Sequence, residues 1–341
     1  MASKPRPGGM RNPITANAPF SYVLPLAAEE PATEDEFAAY LAWIAARAEL
    51  LVVDGSPPDV FAAHDRHWGG CATHVRPAGT TLVGKVANVM TGVRLASHER
   101  IVLADDDVRF GPEIAELVAR LDRAEVVRPQ NFFDPLPWHA VWDTGRSLLN
   151  RVTGGDWPGT LAVRKSALLG AGGYSGEVMF ENYELVKTIE AFGGRHLRAD
   201  DLFVRRLPPS TRHFLHQRVR QAYDELARPG RLVPFLAIAP TAAVLAGLRR
   251  WMTLARITVG SAALIVAMAE IGRRRKGGRT RFPARCSFAA PLWVAERSLT
   301  VWAALLARCR GGVLYRGHRV RAAALRPAER HRRIAGVTHR V

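Results

Sequence analysis

ERIVLADDD, residues 99–107, decides how this chain is read. Ile101, Val102 and Leu103 make a short apolar run of strand length, and it ends in three consecutive carboxylates, Asp105, Asp106 and Asp107. Working upstream, KVANVMTGVRLAS (85–97) is helical, and ELLVVDGSPP (49–58) is a buried-type strand closing in a Gly/Ser/Pro turn. TEDEFAAYLAWIAAR (33–47) opens with Thr33 and three acids before Phe37, Tyr40, Leu41 and Ile44, the pattern of a capped amphipathic helix. SYVLPL (21–26) is a further strand. Alternating strand and helix units of this length imply a mostly parallel sheet with helices on both faces. Asp54 and the 105–107 acids then both fall at carboxyl ends of strands, the edge where open α/β sheets bind ligands.

The chain has 341 residues, 48% apolar and 23% charged, enough for one catalytic domain and an appendage and too apolar for disorder. Its formal charge of +17 is unevenly spread: 273–341 holds 18 Lys or Arg against two acids, a net +16 that leaves +1 for the first 272 residues. Cys71, Cys286 and Cys309 lie far apart with no zinc-ligand spacing and are expected to be reduced thiols. Residues 1–20 carry no apolar run of signal-peptide type, so they are expected to be disordered and the front domain, 21–231, to be cytosolic.

From 232 the character changes. LVPFLAIAPTAAVLAGL (232–248) and TLARITVGSAALIVAMAEIG (253–272) are long apolar stretches, the second about 30 Å as a helix, which matches a bilayer core. They read as a transmembrane hairpin, 232–272, with helices buried in a soluble domain as the competing reading. A third stretch, 287–309, carries Glu296 and Arg297 at its middle, where each charge costs about 3 kcal/mol on insertion scales. It is expected to lie in the membrane interface between a basic loop and a basic tail, so that 273–341 forms loop, interfacial helix and tail against anionic lipid.

Alternate carboxylates after a buried strand can converge on one hard cation, Mg2+ or Mn2+, and through it on phosphate oxygens. A solvated turn before the helix near Pro112 explains an isolated triplet equally well, so the surrounding motifs decide. Their order resembles family 2 glycosyltransferases of the GT-A fold over nearly the whole chain. The first strand with Pro25 and Glu29 resembles that family's opening strand and its acid near the nucleoside. Asp54 in VVDGS is similar to its base-facing Asp, and Lys85 and Asn88 in GKVANVMTG to the helix start before the metal motif. Asp105 and Asp107 match the two acids of the DXD motif.

Further on, WPGTLAVRKSALLGAGGY (157–174) resembles the family's acceptor-side segment, and FENYELVKTIEAFGG (180–194) its catalytic-base motif, with Glu181–Asn182 where Glu-Asp is usual. Asn182 cannot accept a proton, which passes the role to Glu181, with Glu184 in reserve. HQRVRQAYDE (216–225) resembles the (Q/R)xxRW element through Gln217 and Arg220, with Arg218 beside them and Gln221 in place of Trp.

The resemblance implies a GT-A nucleotide-diphospho-sugar transferase sheet followed by C-terminal membrane helices. It implies a metal-dependent, inverting, non-processive transfer of one sugar to a lipid or small-glycan acceptor at the cell membrane. Asp105 and Asp107 would hold the metal; Glu29, Asp54, Lys85, Asp105, Gln217, Arg218 and Arg220 the donor; Glu181 or Glu184 the acceptor proton. A nucleotidyltransferase would carry a basic Gly-rich loop after the first strand, where this chain reads AAEEPATEDE. A non-catalytic, membrane-tethered basic protein is the other alternative, and the scarcity of aromatics in the tail speaks against nucleic acid as its partner. The histidines, His64 and His74 included, show no ligand spacing and are expected to be solvated or core residues, with phosphate contact as the alternative for His213 and His216 beside Arg218.

Overall fold

The computed structural model describes residues 19–338. The expected disordered N-terminus lies outside them except for Pro19 and Phe20, and Phe20 is buried. The front half alternates as expected: β1 (Ser21–Leu26), α1 (Asp35–Ala45), β2 (Glu49–Asp54), α2 (Pro58–Trp68), β3 (Thr73–Val75), α3 (Gly84–Leu95) and β4 (Arg100–Leu103). The sheet and its covering are completed by β5 (Val108–Arg109), α4 (Glu113–Ala119), β6 (Val126–Phe133), α5 (Trp138–Thr153), β7 (Leu161–Arg164), α6 (Lys165–Gly170), α7 (Glu181–Ala191) and β8 (His196–Arg206). Short helices α8 (Thr211–His216) and α9 (Arg218–Tyr223) lead into three long ones, α10 (Pro229–Gly247), α11 (Trp251–Arg274) and α12 (Arg285–Cys309). The chain returns through a hairpin, β9 (Val313–Tyr315) and β10 (His318–Val320), and α13 (Pro327–Thr338).

Eight strands form one sheet in the order β3-β2-β1-β4-β7-β6-β8-β5. β1 to β4 are parallel, as are β6 and β8; β7 runs antiparallel to both β4 and β6, and β5 antiparallel to β8, so the sheet is mostly parallel, as expected, with two strands reversed. Side chains alternate between its faces with period two. Val23, Leu51, Ile101 and Leu103 join a core with α3, α6 and α7, while Tyr22, Leu24, Val52 and Val102 join another with α1 and α4. Each such buried aliphatic stabilises the fold by about 1.5–3 kcal/mol. Register levels the strand ends: Leu26 pairs with Asp54 and Val23 with Leu103, which sets the 105–107 acids beside the mouth of β1.

The third apolar stretch is a packing helix as well as an amphipathic one. Cys286, Ala290, Trp293, Arg297, Val301 and Ala304 of α12 are buried, while Phe288, Leu292, Leu299, Trp302 and Leu306 are exposed along the opposite face. Its inner face meets α5 so closely that a Cβ on Gly145 would fall 2.9 Å from Ala290 Cα, which only glycine accommodates. Glu296 pairs with a protein cation, Arg218, at 2.6 Å. Among the described residues, α10 and α11 are the two helices long and apolar enough to cross a membrane. The helix α10 runs through Pro234 and Pro240 without a break. Val233, Val244, Met252, Val259 and Leu264 stand exposed on the pair.

Candidate functional site

The site forms where β1, β2 and β4 end. Lys85, in the first turn of α3, places its Nζ 2.6 Å from Asp105 Oδ1 and 2.7 Å from Glu181 Oε1. One ammonium thus joins the acid after β4 to the first residue of α7, residues that the chain separates by 76 positions. Burial works against the Lys85 charge, but the attraction of both carboxylates outweighs it and raises the ammonium above the ordinary lysine range. Lys85 and Arg206 in turn overcome burial to hold Asp105 low. Glu181 Oε2 accepts from the Asn182 N–H at 2.7 Å, which fixes the carboxylate at the N-terminus of α7, where a helix favours negative charge.

Asp107 is held by a residue that sequence reading passed over. Arg206, the last residue of β8, pairs in register with Val108 and donates from Nε to Asp107 Oδ2 at 2.8 Å, with Nη2 2.7 Å from the same oxygen. The other oxygen, Asp107 Oδ1, is buried and has no hydrogen-bond partner among the described residues. Gly159 approaches so near that a Cβ there would overlap Asp105 Oδ2. Asp106 keeps an exposed edge; partial loss of hydration, then the charges of Asp107 and Asp105, push its carboxyl up to about 6. Asp224, after α9, is pushed up to about 7 by burial, with Glu181 adding to the shift against the opposing pull of Arg228.

No cluster of three or more His, Cys, Asp or Glu side chains converges as a metal cage among the described residues. The acids present still fit a Mg2+ or Mn2+ ion. Such ions commonly bind through one or two carboxylates and complete their shell with water and substrate phosphate. An unsatisfied buried oxygen on Asp107 is the donor atom such an ion needs.

Several expected site residues have other employment. Glu184 is fully buried, its Oε1 and Oε2 receiving Arg330 Nε at 2.8 Å and Nη2 at 2.7 Å and its Oε2 also accepting from the Leu325 N–H at 3.0 Å. These bonds anchor α13 to α7. Asp54 is also fully buried: Oδ1 accepts from the Ser56 N–H at 2.8 Å, and Oδ2 meets His64 Nδ1 at 2.7 Å and His74 Nε2 at 3.2 Å. These bonds shape the turn after β2. Its histidine partners, given no role by their spacing, close this edge because α2 and β3 bring them together. Ser56 Oγ accepts from the Ala28 N–H at 2.8 Å and so ties the turns after β1 and β2. Asn88 donates to Leu26 and Val53 carbonyls at 2.8 and 3.1 Å, stapling the ends of β1 and β2.

Arg218 is buried against Glu296 at 2.6 Å and Asp143 at 3.4 Å, which joins α9 to α12 and α5. Arg220 stacks over Tyr315 of the returning hairpin, 5.4 Å from the ring centroid. Gln217 contacts His213 and accepts from Gln221 at 3.3 Å. It lines a small cavity together with Phe133, Asp143 and Arg206. Glu29 stands exposed just past β1.

The basic tail is likewise no free arm. Arg308 donates to the Arg321 carbonyl at 2.7 Å, Arg316 to that of Ala27 at 2.5 Å and Arg333 to that of Gly173 at 3.2 Å. Backbone bonds from Met179 to Ala322 and from Phe180 to Ala323, at 2.9 and 2.8 Å, pin the tail to the loop that carries Glu181. A concavity of about 930 Å3 between α1 and α4 contains Tyr40, Trp43 and Phe110 and none of Asp105, Asp107 and Glu181.

No family model and no curated protein matches the sequence. Among solved structures, a mannosyltransferase from Pyrobaculum calidifontis, in complex with GDP-Man and Mn2+, superposes with a TM-score of 0.50 at 18% identity, over 87% of this chain and 90% of that one. Glucosyl-3-phosphoglycerate synthase from Mycobacterium tuberculosis, in complex with Mn2+ and UDP-Glc, covers 64% of this chain and 82% of its own at 21% identity and a TM-score of 0.39. Mannosyl-3-phosphoglycerate synthase from Rubrobacter xylanophilus covers 59% and 71% at 15% identity and a TM-score of 0.40. At such identities the first likeness establishes a shared α/β fold.

Proposed function

We propose that the chain is a metal-dependent glycosyltransferase of GT-A type that moves one sugar from a nucleotide-diphosphate sugar to an acceptor hydroxyl, with inversion. The observation that carries this reading is the bridge from Asp105 through Lys85 to Glu181, which brings the donor-side acid and a candidate base to one ammonium. Asp105 and Asp107 would hold Mg2+ or Mn2+, which would neutralise the charge that develops on the departing diphosphate. Lys85 holds the carboxylates of Asp105 and Glu181 to one ammonium. Glu181 takes the proton of the attacking hydroxyl, a contribution of about 10²–10⁴ in rate for a positioned general base. The fold shared with the Pyrobaculum mannosyltransferase, which was determined with GDP-Man and Mn2+, supports this choice of donor and ion.

The acceptor is read as a lipid or small glycan. Exposed apolar faces on α10, α11 and α12 support a membrane seat for the enzyme, with anionic lipid against the basic loop 273–286 and the catalytic domain on the cytoplasmic side. The test is a donor screen with purified protein, Mn2+ or Mg2+, and a membrane lipid extract, read by product mass. Sugar transfer that needs the ion and is lost in Asp107→Ala and Glu181→Gln is expected. Transfer unaffected by Asp107→Ala would sink the assignment.

A further inference from the structure

The cation that the leaving diphosphate requires is not where the sequence placed it. Arg218 is sealed against Glu296 and Asp143, and Arg220 lies on Tyr315. Arg206 is placed differently. Its side chain is about one-third exposed, with 32% of its surface open, and it contributes to two small cavities, one with Asn131, Ser147 and Trp157 and the other with His139 and Gln217. Both of its bonds go to a single oxygen of Asp107, whose second oxygen is left buried and bare. A guanidinium has five donors in a planar fork suited to phosphate oxygens, and this one uses two on an acid that an ion would claim.

We propose that Arg206 binds the diphosphate of the donor and is exchanged onto it from Asp107 as the ion arrives. This rests on the glycosyltransferase reading and adds the residue that stabilises the leaving group. In the ion-free site Arg206 neutralises Asp107, so an ion entering alone has to displace a favourable pair and leave a guanidinium without its partner. An ion entering with a nucleoside diphosphate supplies that partner. Arg206 therefore couples ion to diphosphate, and the coupling is reciprocal: each tightens the other. No bond is made or broken in this exchange of counter-ions.

The experiment is calorimetric titration of full-length protein, wild type and Arg206→Met, with Mn2+ alone and then with GDP, GMP, UDP and UMP, each with and without Mn2+. Expected for wild type is weak Mn2+ binding alone and a diphosphate preferred over its monophosphate when Mn2+ is present. In Arg206→Met, Mn2+ alone binds more tightly, and the diphosphate loses about tenfold to a hundredfold, the range for one charge-assisted hydrogen-bonding partner. The monophosphate changes little, and Arg206→Lys restores part of the preference through charge without the fork. An Arg206→Met protein with tighter Mn2+ binding but an unchanged ratio of diphosphate to monophosphate would show a fixed counter-ion of Asp107 and overturn the inference. Wild-type protein that binds no nucleoside diphosphate would overturn the glycosyltransferase reading itself. A folded Arg206→Met protein is verified by its unfolding profile, and Arg206→Lys supplies the same comparison if the Met variant does not fold.

Discussion

Substituting Glu184 and Arg330 separates a buried, ion-paired glutamate from the proposed base three residues away. In Arg330→Met, the Glu184 carboxylate stays fully buried and loses both guanidinium bonds, keeping the Leu325 N–H at 3.0 Å and the distant Thr188 hydroxyl at 3.5 Å. Removing one partner of a buried ion pair costs about 3–5 kcal/mol, because the remaining charge is left uncompensated. Glu184→Gln keeps the shape and removes the charge, and the double variant Glu184→Leu with Arg330→Met removes both and recovers much of the loss. Urea unfolding in detergent, with limited proteolysis to follow the release of α13, measures the three. Transfer assayed per folded molecule is then expected to survive in Glu184→Gln and to fall about 10²–10⁴-fold in Glu181→Gln. Loss of transfer in Glu184→Gln at unchanged stability would refute the division of labour drawn from the burial of these two side chains.

Gly159→Ala sets a methyl group against Asp105 Oδ2, so the carboxylate has to rotate away from Lys85. The expected result is weaker Mn2+-dependent nucleotide binding with about 1–3 kcal/mol of overpacking strain, read by calorimetry and unfolding together. For pH dependence, burial opposes the charge of His74, yet its hydrogen bonds to Asp54 and Asp65 win and raise it above the usual histidine value. Burial likewise opposes ionisation of Asp54, but bonds from His74, His64 and Ser56 hold it well below the carboxylate range. His74 therefore contributes stability in full below its unfolded value of about 6.5, lost as pH rises through the raised one; Asp54 contributes above about 3.9, lost as pH falls. A melting profile that His74→Gln fails to flatten on the alkaline side would contradict this. Finally, Val259→Arg or Leu264→Arg, on exposed positions of α11, adds about 2.5–3.5 kcal/mol to insertion at a membrane centre and is expected to shift protein from the membrane to the soluble fraction.

Local pattern carried much of the architecture. The periodicities of 21–26, 33–47, 49–54 and 85–97 became β1, α1, β2 and α3 because each segment's apolar spacing matches one face of a strand or helix, information contained within a dozen residues. The same local reading put Asp105 to Asp107 at a strand's carboxyl end and fixed the limits of the three long helices to within a few positions. The antiparallel insertion of β7 between β4 and β6 was not legible, since strand direction in a sheet depends on how distant connections cross. A basic pair closing LFVRR, residues 202–206, was the available hint of Arg206, but nothing local pairs it with Asp107, 99 positions earlier.

What the sequence by itself determined, then, is which residue types stand at which strand and helix ends: carboxylates at 105–107, Lys85 and Glu181 at helix starts, charges inside α12. Which of them share a charge was decided by tertiary structure alone. Glu181 and Glu184 look equivalent along the chain, yet one helical turn aims the first at Lys85 and the second at Arg330, 146 residues away. Arg218 and Arg206 look equally able to meet phosphate, and packing of α12 sealed one while the end of β8 left the other at the cleft. Charge pairing acts over a few ångströms in space, and distances along a chain do not report it.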